Sequence, residues 1–224
     1  MLGDMDTRAS MSEDNGIGVL REDDLTVLSV GISTGGVAEI RMATAHPERR
    51  IIATTIDPAG AEFARDYIAA QGLTDQIEVK IEDVAAPLPY ADGSFDYVYA
   101  RLVLHYLSKR ALDKALAELH RVLKVGGRLF IVVRSTACPD ARHVEAVFDP
   151  KTHLTIRCHT DQRTGEAVSY ERYFHTEASI KQHVWGANFG IVHTETYDEH
   201  LFTDFMRTTL APHTDNVIEL LAAK

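Results

Sequence analysis

The spacing of apolar residues along this chain switches repeatedly between two periods. Residues 25–30, 51–56, 77–81, 95–100 and 128–133 form short runs rich in Val, Ile, Phe and Tyr, the composition of buried strands. Between them, residues 36–46, 59–71 and 111–123 carry helical spacing: Phe63, Tyr67 and Ala70 share one face, and Leu112, Leu116, Leu119 and Leu123 share another. Gly72 stands where a helix end favours glycine, and Gly126-Gly127 offers a turn between the third helix and the fifth strand. Apolar strands joined by helices predict an α/β fold, a doubly wound and mostly parallel sheet with right-handed crossovers and helices on both faces.

After Ser135 the period shortens to two. Leu154, Ile156 and Cys158 alternate with His153, Thr155, Arg157 and His159, then residues 161–165 supply turn chemistry before Val168, Tyr170, Arg172 and Phe174. That pattern predicts a β-hairpin inserted after strand five, within residues 137–175. Residues 176–185 predict a helix, 190–197 a sixth strand and 217–222 a short final strand, so the main sheet counts seven.

A chain of 224 residues, 45% of them hydrophobic, suits one domain over 1–224. Residues 1–24 read as a short N-terminal extension whose charges exclude a signal peptide, and no stretch is long enough to span a bilayer, so no membrane partner is expected. The net charge of −10 repels phosphate backbones, which argues against a nucleic-acid partner. Cys138 and Cys158 are too few for a disulfide framework and lack zinc-site spacing, which fits reduced thiols in a cytoplasmic protein. Seven of the eleven histidines fall between residues 153 and 213. Thr155 and Arg157 share a strand face with His153 and His159 and are poor metal ligands, so that face reads as solvated and no metal is expected.

Candidate chemistry concentrates at Val30-Gly31-Ile32-Ser33-Thr34-Gly35-Gly36, between the first strand and the first helix. An open α/β sheet brings its backbone close to a ligand at such a turn, and glycine leaves the approach clear; glycines here also serve packing alone. Asp57, some twenty residues beyond the turn and at the end of the second strand, is placed to accept hydrogen bonds from both hydroxyls of a ribose. It is equally placed to cap the helix that Pro58 opens.

Several segments together resemble the class I, Rossmann-like S-adenosylmethionine-dependent methyltransferases, in particular the branch acting on quinone-like and other small molecules. Leu28 to Gly35 looks like the first cofactor motif, Ile56-Asp57 like the ribose acid and Glu82-Asp83-Val84 like the adenine-contacting segment. Pro87 to Val98, Leu104-His105-Tyr106-Leu107 and Arg121 to Leu129 follow in the family's order. The resemblance implies a seven-stranded sheet with the last strand antiparallel. It implies S-adenosylmethionine as cofactor, with Gly31, Ser33 and Gly35 passing its methionine moiety, Asp57 its ribose, Asp83 and Val84 its adenine, and Arg101 bordering the methionine end. Two positions depart from the family pattern: Ser29 replaces an acid and Ser33 a glycine.

Methyl transfer from a sulfonium is an in-line displacement that positioning alone can accelerate. For an acceptor hydroxyl, thiol or acidic carbon a base helps, and His105 is the candidate, with Tyr106 and Tyr99 as alternatives; a packed histidine is the competing reading. Three functions are in play: methyl transfer to a small-molecule acceptor, a methyltransferase-like scaffold that has lost catalysis, and a nicotinamide-dependent oxidoreductase using Gly31-x-Ser33-x-x-Gly36. The last leaves the segments around Leu88 and Arg121 unexplained. With only 24 residues before strand one, a cover for the site is expected from the inserted hairpin acting as a lid or from a second subunit, hence a homodimer.

Overall fold

The computed structural model describes residues 10–32, 36–142, 146–160, 167–202, 207 and 209–224. Helix α1 (Met11–Gly18) precedes β1 (Thr26–Val30), α2 (Val37–Ala45), β2 (Arg50–Thr55), α3 (Pro58–Ala70), β3 (Ile77–Ile81), β4 (Phe95–Arg101), α4 (Lys109–Val122) and β5 (Leu123–Arg134). Three short strands follow, β6 (Ala146–Phe148), β7 (Leu154–Thr160) and β8 (Ala167–Tyr173), then α5 (Glu177–Gly186), β9 (Gly190–Glu199) and β10 (Asp215–Ala223).

The main sheet runs β3-β2-β1-β4-β5-β10-β9. Its strands pair parallel except where β10 lies antiparallel to β5 and to β9, the seven-stranded pattern with one reversed strand that the sequence implied. Alternation along each central strand sends residues to two cores. Leu28, Val98, Leu129 and Ile131 meet Leu112, Leu116 and Leu119 of α4 on one face. Val27, Tyr97, Phe130 and Val132 meet Met42 of α2 and Ala61, Ala64 and Ile68 of α3 on the other. Strands covered on both faces need apolar side chains on both, which is why these runs read as continuous rather than alternating.

Three boundaries depart from the sequence reading. Strand β5 starts at Leu123, so Gly126-Gly127 lies inside the strand as an irregularity instead of ahead of it; Gly126 has φ +80° and the register shifts opposite Phe95 and Tyr97. The inserted region is a three-stranded antiparallel sheet, β6-β7-β8, rather than a two-stranded hairpin. The turn at 161–165 lies outside the described residues.

Helix α1 is the third departure, since residues 1–24 carried no expected element. Ser10-Met11-Ser12-Glu13 has the spacing of a capping box, yet Ser10 makes no side-chain cap. Its hydroxyl accepts from Arg101 instead, and Glu13 pairs with Arg41 at 2.9 Å and with Arg207 at 2.5 Å. The helix is held by partners on distant elements, and Gly16 and Gly18 weaken any local signal for it.

Candidate active site

A cleft of about 360 Å³ opens at the carboxyl ends of β1, β2 and β4. Its walls come from residues 30–32, 54–56, 82–84, 102–103 and 106–107. The place is the switch point of the sheet: β1 is followed in sequence by β2 on one side and paired with β4 on the other, so the loops leave in opposite directions and a hollow remains.

Gly31 forms the floor. Its φ of +76° is unfavourable for residues with a side chain, and a Cβ there would lie 2.6 Å from Cγ2 of Val103 in the opposite wall. The Gly31 and Ile32 amides both donate to the Thr54 carbonyl, at 2.9 and 2.8 Å, which fixes the turn against β2. Ser33 and Gly35 lie outside the described residues. Behind the floor, Ser29 is 1% exposed and its hydroxyl donates to the carboxylate of Glu39, one turn into α2 and 3% exposed. Burial pushes the Glu39 carboxyl above its ordinary pKa. Sequence reasoning missed Glu39; an acid on the apolar face of a helix, among Val37, Ile40 and Met42, was the available signal.

Asp83 and Val84 line the cleft together, Val84 buried and Asp83 exposed, with the Ala85 amide donating to Oδ1 of Asp83 at 2.9 Å. Asp57 stands just beyond the lining, exposed, and caps α3 by accepting from the Ala59 amide at 3.1 Å. Ile56 beside it is part of the wall while 73% exposed, an apolar surface.

Arg101 does not line the cleft. Its Nε donates to Ser12 Oγ at 2.6 Å and its guanidinium lies 3.7 Å from Glu199, which itself accepts from the Ser12 amide and hydroxyl at 2.6 and 2.7 Å. The side chain expected at the methionine end is thus spent on docking α1 across the end of β4.

His105 and Tyr106 occupy a short 3-10 turn, Leu104–Tyr106. His105 is 1% exposed, set back from the lining, and neither ring nitrogen has a hydrogen-bond partner among the described residues. Burial, with Arg134, Arg172 and His175 nearby, drives its pKa well below the usual range and keeps the ring neutral. Tyr106, 47% exposed, forms the wall itself, and the Arg172 guanidinium of β8 stands 5.2 Å over its ring. The inserted sheet therefore touches the site at Tyr106. Tyr99 faces the other core, stacked on Phe130 beneath α1.

The segment from Leu88 to Asp92 is shaped by α4. Arg121 donates to the Leu88 and Tyr90 carbonyls at 3.0 and 2.7 Å and pairs with Asp92, while Glu118 accepts from the Leu88 amide at 2.8 Å. These residues hold the loop that carries Asp83 and Val84. They give the Arg121 and Leu88 motifs a structural purpose.

Residues 28–131 match the methyltransferase domain family. That segment, just under half of the chain and running from β1 into β5, has the sequence of a methyltransferase domain. The chain is 30% identical over 130 residues to a demethylmenaquinone methyltransferase of Bacteroides fragilis, covering 58% of this chain and 51% of that protein. Among solved structures it superposes on a SAM-dependent methyltransferase of Methanosarcina mazei with a TM-score of 0.72 at 20% identity, covering 92% of this chain and 95% of that one. It also superposes on the 1,6-didemethyltoxoflavin-N1-methyltransferase of Burkholderia thailandensis, solved with S-adenosylhomocysteine bound, with a TM-score of 0.61 at 16% identity and coverage of 96% and 78%. The domain spans about half the length of the curated relatives it matches. No helix among the described residues is long and apolar enough to cross a membrane.

Proposed function

We propose that this protein transfers the methyl group of S-adenosylmethionine to a small-molecule acceptor, binding the cofactor in the cleft above β1, β2 and β4. The single observation that carries the reading is an open hollow at the switch point, floored by Gly31 and edged by Asp83 and Val84. Ile56, Asp83 and Val84 would hold the cofactor's adenine and Asp57 its ribose. Gly31, Ser33 and Gly35 would pass its methionine end. Arg101 acts on that end indirectly, by fixing α1. The cofactor, when bound, supplies an electrophilic methyl on a sulfonium. The protein's own contribution is to orient the acceptor in line with it and to keep water out.

Tyr106 is the polar group on the acceptor side of the wall, and His105 backs it as a buried neutral imidazole. The sheet β6-β7-β8 acts as the lid, through Arg172 on Tyr106. Quinone and similar acceptors named for the relatives make electron-rich aromatic hydroxyls or ring carbons the first class to test. Helix α1 is docked at the end of β4 through Arg101, and a second subunit is the other cover proposed for the site. The free thiols of Cys138 and Cys158 support a reducing, cytoplasmic setting.

The test is transfer of a labelled methyl group to a panel of phenols and quinols, scored with the release of S-adenosylhomocysteine. Turnover of at least one acceptor is expected. Cofactor binding without any transfer across the panel favours a scaffold that binds but does not methylate.

A further inference from the structure

A second hollow, of about 430 Å³, lies between α4, α5, the end of β8 and the turn that leads into β7. It is larger than the cofactor cleft and shares no lining residue with it. Lys109 stands on one wall as the first residue of α4, exposed, with no ion pair among the described residues. Asp113, one turn further along α4, is the one carboxylate of the lining, and it is already engaged: its Oδ1 lies 2.6 Å from Nδ1 of His183 on α5. An ionised carboxylate only accepts, so it holds a proton of His183 on Nδ1 and leaves Nε2 over. Gln182, also on α5, and His153, from the turn before β7, bring a carboxamide and an imidazole that make no side-chain hydrogen bond among the described residues. Tyr173 adds a half-buried aromatic wall.

In a chain of net charge −10, an ammonium without an ion pair, grouped with spare donors, is matched to an anion. The charges of the lining set which anion. One such cation suits one negative charge, whereas a phosphate dianion would also face the oxygens of Asp113. A carboxylate alone fills little of 430 Å³, so the ligand carries a body. We infer that this hollow binds a small organic monocarboxylate, its charge drawn to Lys109 and its body against Tyr173, with Gln182, His153 and His183 as further donors. A ligand there would touch α4, α5 and the inserted sheet at once. Because the two hollows are separate, the inference does not depend on what fills the cofactor cleft.

Benzoate, its neutral isostere benzamide and inorganic phosphate are titrated, with binding followed by nuclear magnetic resonance, into the full chain and into Lys109→Met, which removes the charge at an exposed position. The wild type is expected to bind benzoate about tenfold more tightly than benzamide, the low end for a charged hydrogen bond at an exposed group. In Lys109→Met the two are expected to bind within about twofold of one another. No binding of benzoate, equal binding of both by the wild type, or a preference undiminished in Lys109→Met overturns the inference. Phosphate is expected to bind more weakly than benzoate; phosphate bound as tightly means that the site reads charge alone and overturns the carboxylate assignment. Saturating S-adenosylhomocysteine is expected to leave the affinity for benzoate unchanged, and loss of benzoate binding would put benzoate in the cleft and overturn the second site. A chain that does not bind S-adenosylhomocysteine overturns the cofactor reading and leaves the benzoate comparison intact.

Discussion

Asp57 caps α3 and is the residue proposed to hold the cofactor's ribose. As the N-cap of α3 it satisfies an orphan amide, a role in which asparagine is as good as aspartate. Asp57→Asn therefore keeps the helix and stability close to wild type, while S-adenosylhomocysteine affinity falls about tenfold through loss of a charged acceptor. Unchanged affinity in calorimetry reduces Asp57 to a cap. A second residue-scale expectation concerns acid. His175 is 3% exposed and its pKa is pushed down to about 3, chiefly by burial. Below pH about 6.5 the unfolded chain gains a proton there that the native state refuses, so stability falls with falling pH by about 1.4 kcal/mol per unit until the native pKa is reached. Glu39, with its raised pKa, works in the opposite sense, which is why the wild type must be compared with His175→Phe. The variant is expected to lose less stability between pH 6.5 and 4.5 in denaturant titrations; parallel losses would show that His175 is protonated in the native state.

At the scale of elements, the alternation of strand and helix was legible because each central strand is buried on both faces and each crossover helix on one. Local chemistry starts α3, α4 and α5, capped by Asp57, Ser108 and Thr176, and of these Asp57 was read as a cap from the sequence. Helix α1 was not legible, because its partners Arg41, Arg101 and Glu199 lie far along the chain and its capping-box residues bind them instead of its own amides. Strand β6 was missed because three residues set no period. The same long-range logic hid Glu39 and the contacts of Arg101, whose side chain holds α1. Docking of α1 depends on Gly16, where a Cβ would meet the Tyr99 ring at 2.5 Å and Phe130 at 2.6 Å. Gly16→Val is expected to cost about 1–3 kcal/mol by overpacking and to open residues 10–18 to proteolysis. A denaturant midpoint equal to wild type, with α1 still protected, would mean that the helix does not rest on that contact.

For the whole molecule, two cores on either side of one sheet leave the carboxyl edge of the strands as the place where loops diverge, and the cleft follows from that topology more than from any single side chain. The wall at Tyr106 is built differently, where the inserted sheet meets the 3-10 turn, and the fold does not dictate what binds there. The residues assigned to the cofactor side sit at strand ends that periodicity locates. The acceptor side depends on how β6-β7-β8 lies against Tyr106, which periodicity does not encode. The central claim is therefore spatial, and a crystal structure of the chain soaked with S-adenosylhomocysteine tests it most directly. Ligand density is expected in the cleft, with adenine beside Asp83 and Val84 and the amino acid end over Gly31. An empty cleft at saturating ligand, or density at another surface with these residues unengaged, would contradict the account.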